Sequence, residues 1–376
     1  MSTLSFDISS ISSHFQVEGR FTRAELCGSG HINDTFFVEF KPKRKIKRYV
    51  LQRINHFVFK EPEVVVENMV LVTEHITKKL SLIPESDYRE CIRMVPTQEG
   101  NWFYRSEDGN YWRCLHFIER TYNRDNAEIP EDASEAGRIF ARFQNFLSDL
   151  NVNDLKETIP HFHHTPTRFA KFQEIVSLDT FNRAKTCRKE IDWVLGKEPM
   201  TKIITSKLAD GSIPTRVTHN DTKFNNVLFC EDSDKAICVT DLDTVMPGTI
   251  LYDFGDQIRT TTSHAAEDEK DLNKVVIDLD MFQGLTRGYI SEAITFLKKQ
   301  EIDLLVFSGQ LITFQIGLRF LTDYLEGDVY FKTHRECQNL DRARAQFALV
   351  MSMEKNEEIM QSIVNKAVSE ISLNQK

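Results

Sequence analysis

The sequence predicts an α+β chain in two parts, a small strand-rich stretch over residues 1–118 and a larger, mostly helical stretch over 119–376. Three observations predict it. β-type runs bounded by turn residues cluster before residue 118. Apolar residues at helical spacing dominate after it. Between Ile118 and Asp125 neither pattern holds, as expected of a linker. A length of 376 residues suits two lobes, and 41% hydrophobic with 27% charged residues is a globular balance.

Arg23 to Phe40 reads as two strands joined across Gly28-Ser29-Gly30-His31-Ile32-Asn33-Asp34, and Tyr49 to Ile54 as a third. The basic run Lys41 to Arg48 lies between two of these strands and reads as a solvated hairpin tip. Glu63 to Leu80 carries Val65, Met69, Val72 and Ile76 on one helical face. Glu90 to Pro96, Trp102 to Ser106 and Tyr111 to Ile118 read as further strands, with a turn at Asp108-Gly109. Helices follow over Ala133–Leu150, Thr167–Lys185, Arg188–Ala209, Leu279–Lys299, Asp303–Gly327 and Leu340–Ser369. His161-Phe162-His163-His164, flanked by Pro160 and Pro166, reads as a polar loop, since no Cys or carboxylate partner stands at metal-ligand spacing.

A net charge of −9 argues against a nucleic-acid partner, which calls for a basic patch. Seven scattered Cys without C-x-x-C pairs read as reduced thiols in a cytoplasmic protein. The N-terminus lacks a basic and apolar leader, and no run approaches eighteen apolar residues, so neither secretion nor a membrane span is expected.

The chemistry concentrates in His219 to Asn226, H-N-D-T-K-F-N-N. Asp241 follows Asp221 by twenty positions, in V-T-D-L-D. Phosphoryl transfer from ATP needs a carboxylate to orient the attacking hydroxyl and accept its proton, and oxygen ligands to hold Mg²⁺ on the phosphates. Asp221 fits the first role; Asn226 and Asp241 fit the second. The apolar runs Val227–Phe229 and Ala236–Val239 around a polar turn read as a β-hairpin whose ends are Asn226 and Asp241. Asp253-Phe254-Gly255 follows no hairpin of its own, so Asp253 is expected to cap the backbone of the catalytic loop, and Asp243 to assist the metal. Gly28, Ser29 and Gly30 would cover the phosphates, since glycines allow close backbone approach. No lysine stands on the third strand: the position in phase holds Gln52, leaving Arg53 as the candidate cation and Glu67 as its helical partner.

The loop spacing resembles the protein-kinase-like superfamily, and the first part resembles its strand-rich N-lobe, the second its helical C-lobe. Asn220 stands where protein kinases carry Arg. With V-T-D-L-D and Y-D-F-G-D following, the chain resembles the aminoglycoside phosphotransferase and choline kinase group. G-S-G-H-I-N-D-T-F (Gly28 to Phe36), V-L-Q-R-I-N (Val50 to Asn55), V-E-N-M (Val66 to Met69), T-D-L-D-T-V-M-P-G (Thr240 to Gly248) and R-F-L-T-D-Y-L-E-G-D-V-Y-F (Arg319 to Phe331) are similar to N-acetylhexosamine 1-kinases. That resemblance implies ATP-dependent phosphorylation of the anomeric hydroxyl of N-acetylglucosamine or N-acetylgalactosamine. It implies that His31, Asp34, Arg319 and Tyr330 reach the sugar. Arg319 has a bland alternative, an i,i+4 pair with Asp323 on its own helix. Rival functions are a kinase of an aminoglycoside, homoserine or choline, and a nucleotide-binding scaffold without catalysis. Oligomeric state is not legible.

Overall fold

A computed structural model describes residues 6–27, 32–43 and 45–374. The chain divides into two compact units. The first comprises residues 1–122, 149–160 and 228–247; the second comprises 123–148, 161–227 and 248–376. The first break thus lies four residues beyond Ile118 (122 against 118), and two later segments return to the first unit.

In the first unit, α1 (Ile8–Ser13) precedes strands β1 (Arg20–Leu26), β2 (Asp34–Lys41) and β3 (Lys47–Ile54). Helix α2 (Pro62–Leu80) follows, then β4 (Met94–Val95), β5 (Tyr104–Arg105), β6 (Tyr111–His116) and β7 (Thr121–Tyr122). The sheet order is β1-β2-β3-β6-β4 with β5 also on β6, and its pairs are antiparallel. The strand expected over Glu90–Pro96 is reduced to two residues, because Asp87 caps a 3₁₀ turn at Tyr88–Glu90. One sheet face carries Val38, Phe40, Tyr49, Leu51, Trp112 and Cys114 against Ile8, Ile11 and Phe15.

Strand β8 (Arg216–Thr218) belongs to the second unit; the expected hairpin is β9 (Val227–Cys230) and β10 (Ala236–Val239). Asp234, at φ 54°, forms its turn by donating its N–H to the Cys230 carbonyl. The hairpin joins the first unit because β7 pairs with it, Thr121 opposite Cys230 and Tyr122 opposite Phe229. Segment 149–160 joins because the buried Asn68 of α2 donates to the Lys156 carbonyl and accepts from its N–H. Its amide also donates to the Val245 carbonyl.

The second unit is helical: α3 (Pro130–Phe146), α4 (Thr165–Leu178), α5 (Arg188–Gly196), α6 (Glu198–Thr201), α7 (Ile203–Ala209), α8 (Ile250–Thr261), α9 (Leu279–Ala293), α10 (Lys299–Ile302), α11 (Leu305–Leu325), α12 (Gln338–Lys355) and α13 (Glu357–Asn374). The helix expected over Arg188–Ala209 is three short ones, interrupted where Pro199 can only occupy a first turn. The helix expected to Lys185 stops at Asp179, a left-handed C-cap at φ 37°. The helix expected over Leu340–Ser369 breaks at Asn356.

Helix α11 is the centre of this unit, packed by α12, α8 and α4. It is the one helix among the described residues long and apolar enough to cross a membrane, but its apolar window is 83% buried inside the protein, as befits a core helix. Phe314, Leu318 and Leu321 are fully buried, each worth about 1.5–3 kcal/mol of burial. Helices α3 and α9 meet at backbone contact: a Cβ on Gly288 would lie 1.9 Å from the Ser134 carbonyl oxygen, and one on Gly137 2.3 Å from that of Leu285.

Candidate active site

The catalytic loop runs from the end of β8 to Asn226, and the second unit holds it by its backbone. Asp253, on the first turn of α8, is fully buried. Its Oδ2 accepts the N–H of His219 at 2.9 Å and its Oδ1 that of Asn220 at 2.7 Å. Gln144 of α3 donates to Oδ2 at 2.7 Å, and the Tyr289 hydroxyl of α9 donates to Gln144 Oε1 at 2.6 Å. The Asp253 carbonyl accepts the Thr222 hydroxyl at 2.6 Å. Asp253 therefore does cap the loop, as expected of an acid in a helix that follows it. Burial pushes its carboxyl above the ordinary range, against the pull of His219 and the N–H donors.

A second clamp comes from a residue whose role the sequence concealed. His163 is a buried support, not part of a solvated loop. Its Nε2 lies 2.9 Å from the Asn220 carbonyl oxygen, which has no hydrogen to give, so Nε2 carries the proton. Nδ1 lies 2.9 Å from Gln315 Oε1 of α11, likewise an acceptor, while Gln315 Nε2 donates to the His163 carbonyl at 2.9 Å. Burial pulls the imidazole below its ordinary value, against the two acceptors, which favour its protonated form. Between the clamps Asn220 sits at φ 66°, a conformation Asn tolerates better than most residues. Its amide exchanges hydrogen bonds with Thr218, accepting from Oγ1 and donating to the carbonyl, both at 3.1 Å.

Held this way, the loop presents Asp221. Lys223 places its Nζ 2.8 Å from Asp221 Oδ1. Burial acts to raise the Asp221 carboxyl, but Lys223, with His219 and Arg259, outweighs it and leaves the group below its ordinary value. The Asn226 amide donates to the Asp221 carbonyl at 2.9 Å, which fixes its orientation. Asn226 Oδ1 is a hard oxygen of the kind Mg²⁺ takes. Asp241, in the first unit between β10 and the turn Leu242–Thr244, adopts φ 58° and ψ 59° and offers carboxylate oxygens of the same kind. Among the described residues no three His, Cys, Asp or Glu side chains form a ready-made metal cage.

Arg319 of α11 does not pair with Asp323. The Asp323 carboxylate is consumed by the N–H groups of Val329, Tyr330 and Phe331 at 2.7–3.0 Å and by the Asn339 amide at 2.9 Å. It thereby folds the turn that sets Tyr330 beside Arg319, whose Nη2 is 3.4 Å from the Tyr330 hydroxyl. Desolvation lowers Arg319 from its ordinary value. Arg168 of α4, half-buried nearby with its guanidinium donating to the Phe162 carbonyl, is lowered to about 10 by burial and by the like charge of Arg319.

On the nucleotide side, Gly28, Ser29, Gly30 and His31 lie outside the described residues. Arg53 and Glu67, expected to pair with each other at the nucleotide, each have another partner. Successive strand residues face opposite ways. Arg53 turns to the α1 side, bound to Asp34 at 2.5 Å and Asn110 at 3.0 Å and lying over the Phe6 ring. Asp34, expected at the sugar, is the partner of that guanidinium. Glu67 points outward to an exposed ion pair with Lys156 at 2.9 Å, and its neighbour Asn68 is the inward residue of α2. The cation that contacts Gln52 on its own face is Arg113 of β6, directly opposite in the β3–β6 register and donating from Nε to Gln52 Oε1 at 2.9 Å. Asp243, expected to assist the metal, is ion-paired to Arg113 at 2.5 Å.

The model of the phosphotransferase enzyme family, APH, matches residues 23–278. The chain is similar in structure to an aminoglycoside phosphotransferase from Alicyclobacillus acidocaldarius, at TM-score 0.62 and 12% identity, covering 99% of this chain and 98% of that one. It is similar to a microcompartment-associated aminopropanol kinase, at TM-score 0.54 and 12% identity, covering 94% and 97%. It is similar to an aminoglycoside 2'-phosphotransferase-IIIa solved with GDP, at TM-score 0.52 and 12% identity, covering 89% and 94%. At these identities the likenesses carry the fold, which is the expected protein-kinase-like one with an antiparallel-sheet N-lobe and a helical C-lobe. Matched by the family model over more than half its length, the chain belongs to the phosphotransferase enzyme family.

Proposed function

We propose that this protein is a small-molecule kinase that transfers the γ-phosphoryl group of Mg·ATP to the anomeric hydroxyl of an N-acetylhexosamine, N-acetylglucosamine or N-acetylgalactosamine. The observation that carries the acceptor is the Arg319–Tyr330 arrangement with Arg168 beside it. A cationic acceptor approaching Asp221 would meet the like charges of two desolvated guanidiniums, Arg319 and Arg168. A neutral sugar offers hydroxyl and acetamide oxygens that a guanidinium donates to, and a ring face that an exposed Tyr covers. The sequence strings around these residues point the same way.

In this reading Asp221 accepts a hydrogen bond from the anomeric hydroxyl and takes its proton as the O–P bond forms. A carboxyl held below its ordinary value is a weak base, which suits a loose transition state with late proton transfer. The Lys223 ammonium offsets negative charge beside the reacting oxygen. Asn226 and Asp241 are assigned to Mg²⁺, which when bound neutralises charge on the phosphates. Gly28, Ser29 and Gly30 are assigned to the nucleotide, and His31 to the sugar.

The test is ADP release with Mg·ATP across N-acetylglucosamine, N-acetylgalactosamine, glucose, galactose, choline, homoserine and kanamycin, with phosphorus NMR of the product. An anomeric phosphate from an acetamido sugar, lost by roughly 10²-fold or more in Asp221→Asn, is the expected result. Turnover confined to an amine or aminoglycoside would overturn the acceptor. Bound ATP without turnover on any acceptor would overturn catalysis.

A further inference from the structure

The third strand of this sheet carries Gln52 where a phosphate-pairing cation would stand, and Gln52 has no charge. Directly opposite Gln52 on that face stands Arg113, whose side chain is 1% exposed in the middle of β6. Its guanidinium is built into a network confined to the first unit. Nε donates to Gln52 Oε1 at 2.9 Å, and Gln52 Nε2 donates in turn to Thr35 Oγ1 at 3.1 Å. Nη1 is ion-paired with Asp243 Oδ1 at 2.5 Å. The other Asp243 oxygen accepts the Asn33 amide at 2.5 Å, and Asn33 Oδ1 accepts the Asn55 N–H at 3.0 Å. Asp243 stands two residues after Asp241, and Asn33 two residues after the Gly28–His31 stretch. One guanidinium therefore joins β3 to the segment that follows Asp241 and, through Asp243, to Asn33.

No hydrogen bond from Nη2 is formed among the described residues, and Nη1 and Asp243 Oδ1, though 2.5 Å apart, are buried without an aligned hydrogen bond. A buried ion pair is a poor means of gaining stability, because desolvating both charges offsets their attraction. A pair kept in place with one fork arm unused fits a different purpose. The planar guanidinium can satisfy a carboxylate with one arm and a phosphate oxygen with the other, which a single ammonium cannot do in fixed geometry.

We propose that Arg113 is the residue that binds the non-bridging oxygens of the nucleotide's α- and β-phosphates, oriented by Asp243 and Gln52. The cation comes from the strand next to the one that would supply it, across one rung of the sheet. The proposal rests on the kinase reading for its nucleotide, but not on the identity of the acceptor.

The test is calorimetric titration of Mg·AMP-PNP without acceptor, with adenosine binding followed by NMR in parallel. Arg113→Gln/Asp243→Asn removes both charges together and so leaves no lone buried ion. It should lose about 10-fold or more in Mg·AMP-PNP affinity, the scale of one charge-assisted hydrogen bond, with adenosine binding unchanged. Adding Gln52→Lys should restore part of the loss. Arg113→Lys, which keeps the charge and the fold, should bind Mg·AMP-PNP more weakly than wild type and adenosine equally well. Wild-type Mg·AMP-PNP affinity in both Arg113 variants would overturn the proposal, as would equal losses for the two ligands. A wild-type protein that binds adenosine but gains nothing from the phosphates would overturn it together with the kinase reading. Turnover on an unexpected acceptor, with the Arg113 effect intact, would overturn only the sugar.

Discussion

Asp253→Asn isolates the clamp that shapes the catalytic loop. The carboxylate accepts from His219 and Gln144 on Oδ2 and from Asn220 on Oδ1. An Asn keeps one oxygen and turns an NH₂ toward the remaining donors. If the oxygen stays at the Oδ2 position, the Asn220 N–H is stranded; if at Oδ1, His219 and Gln144 both are. Each lost bond to a charged acceptor is worth about 1.5–3 kcal/mol, giving roughly 1.5–6 kcal/mol for one or two bonds. Removing the charge returns part of the desolvation that already pushes this carboxyl upward, so the low end, about 2 kcal/mol, is expected. Urea unfolding by circular dichroism should show a lowered midpoint at unchanged m. The rate should fall by more than about 10-fold, because displacing His219 and Asn220 displaces Asp221 from near-attack geometry. A midpoint and a kcat both indistinguishable from wild type would refute the claim that Asp253 holds the loop.

Three further outcomes follow from the geometry. Lys223→Met should move the acid limb of kcat/KM to higher pH. Asp221, depressed below 3.8 in the folded protein, is ionised above that value and loses activity and its share of stability only as pH falls through the lower folded value; without the ammonium, burial dominates and the carboxyl protonates sooner. An unmoved limb would separate Lys223 from the base. Asn220→Val should cost on the order of 1–3 kcal/mol by denaturation, since a β-branched residue is strained at φ 66° and the Thr218 bonds are lost; a neutral change would show that the loop relaxes freely. Glu67→Gln should leave the ATP dependence of the rate unchanged, because its partner is the surface Lys156; a raised KM for ATP would return Glu67 to the nucleotide.

The frame was legible where pattern alone determines it. Val65, Met69, Val72 and Ile76 located α2, and the two apolar runs around Glu231–Asp234 located the β9–β10 hairpin. The loop string located Asp221 and contained Lys223, a cation two residues after the acid that went unread. What failed depended on partners distant in sequence. Alternation showed that Gln52 and Arg53 differ in face, but which face meets β6 depends on the register with residues 111–116, some sixty positions away. Glu67 and Asn68 are neighbours on one helix, and only the path of segment 149–160 decides which turns inward. His163 carried no local sign of burial, because its pocket is built by Gln315 and the Asn220 carbonyl, far off in the chain.

The glycine contact between α3 and α9 has a consequence for how genetic variation in this protein will be read. Gln144 and Tyr289, which pass the hold on Asp253 from one helix to the other, ride on the two backbones that Gly137 and Gly288 bring together. A methyl group at either glycine wedges the helices apart and pulls that relay out of line. In a screen scored by activity, such a change would mimic a lesion in the reacting groups while touching none of them. In a screen scored by abundance it would look like an ordinary packing defect. Only comparing the two scores would show that a pair of buried glycines sets the precision of a loop they never meet.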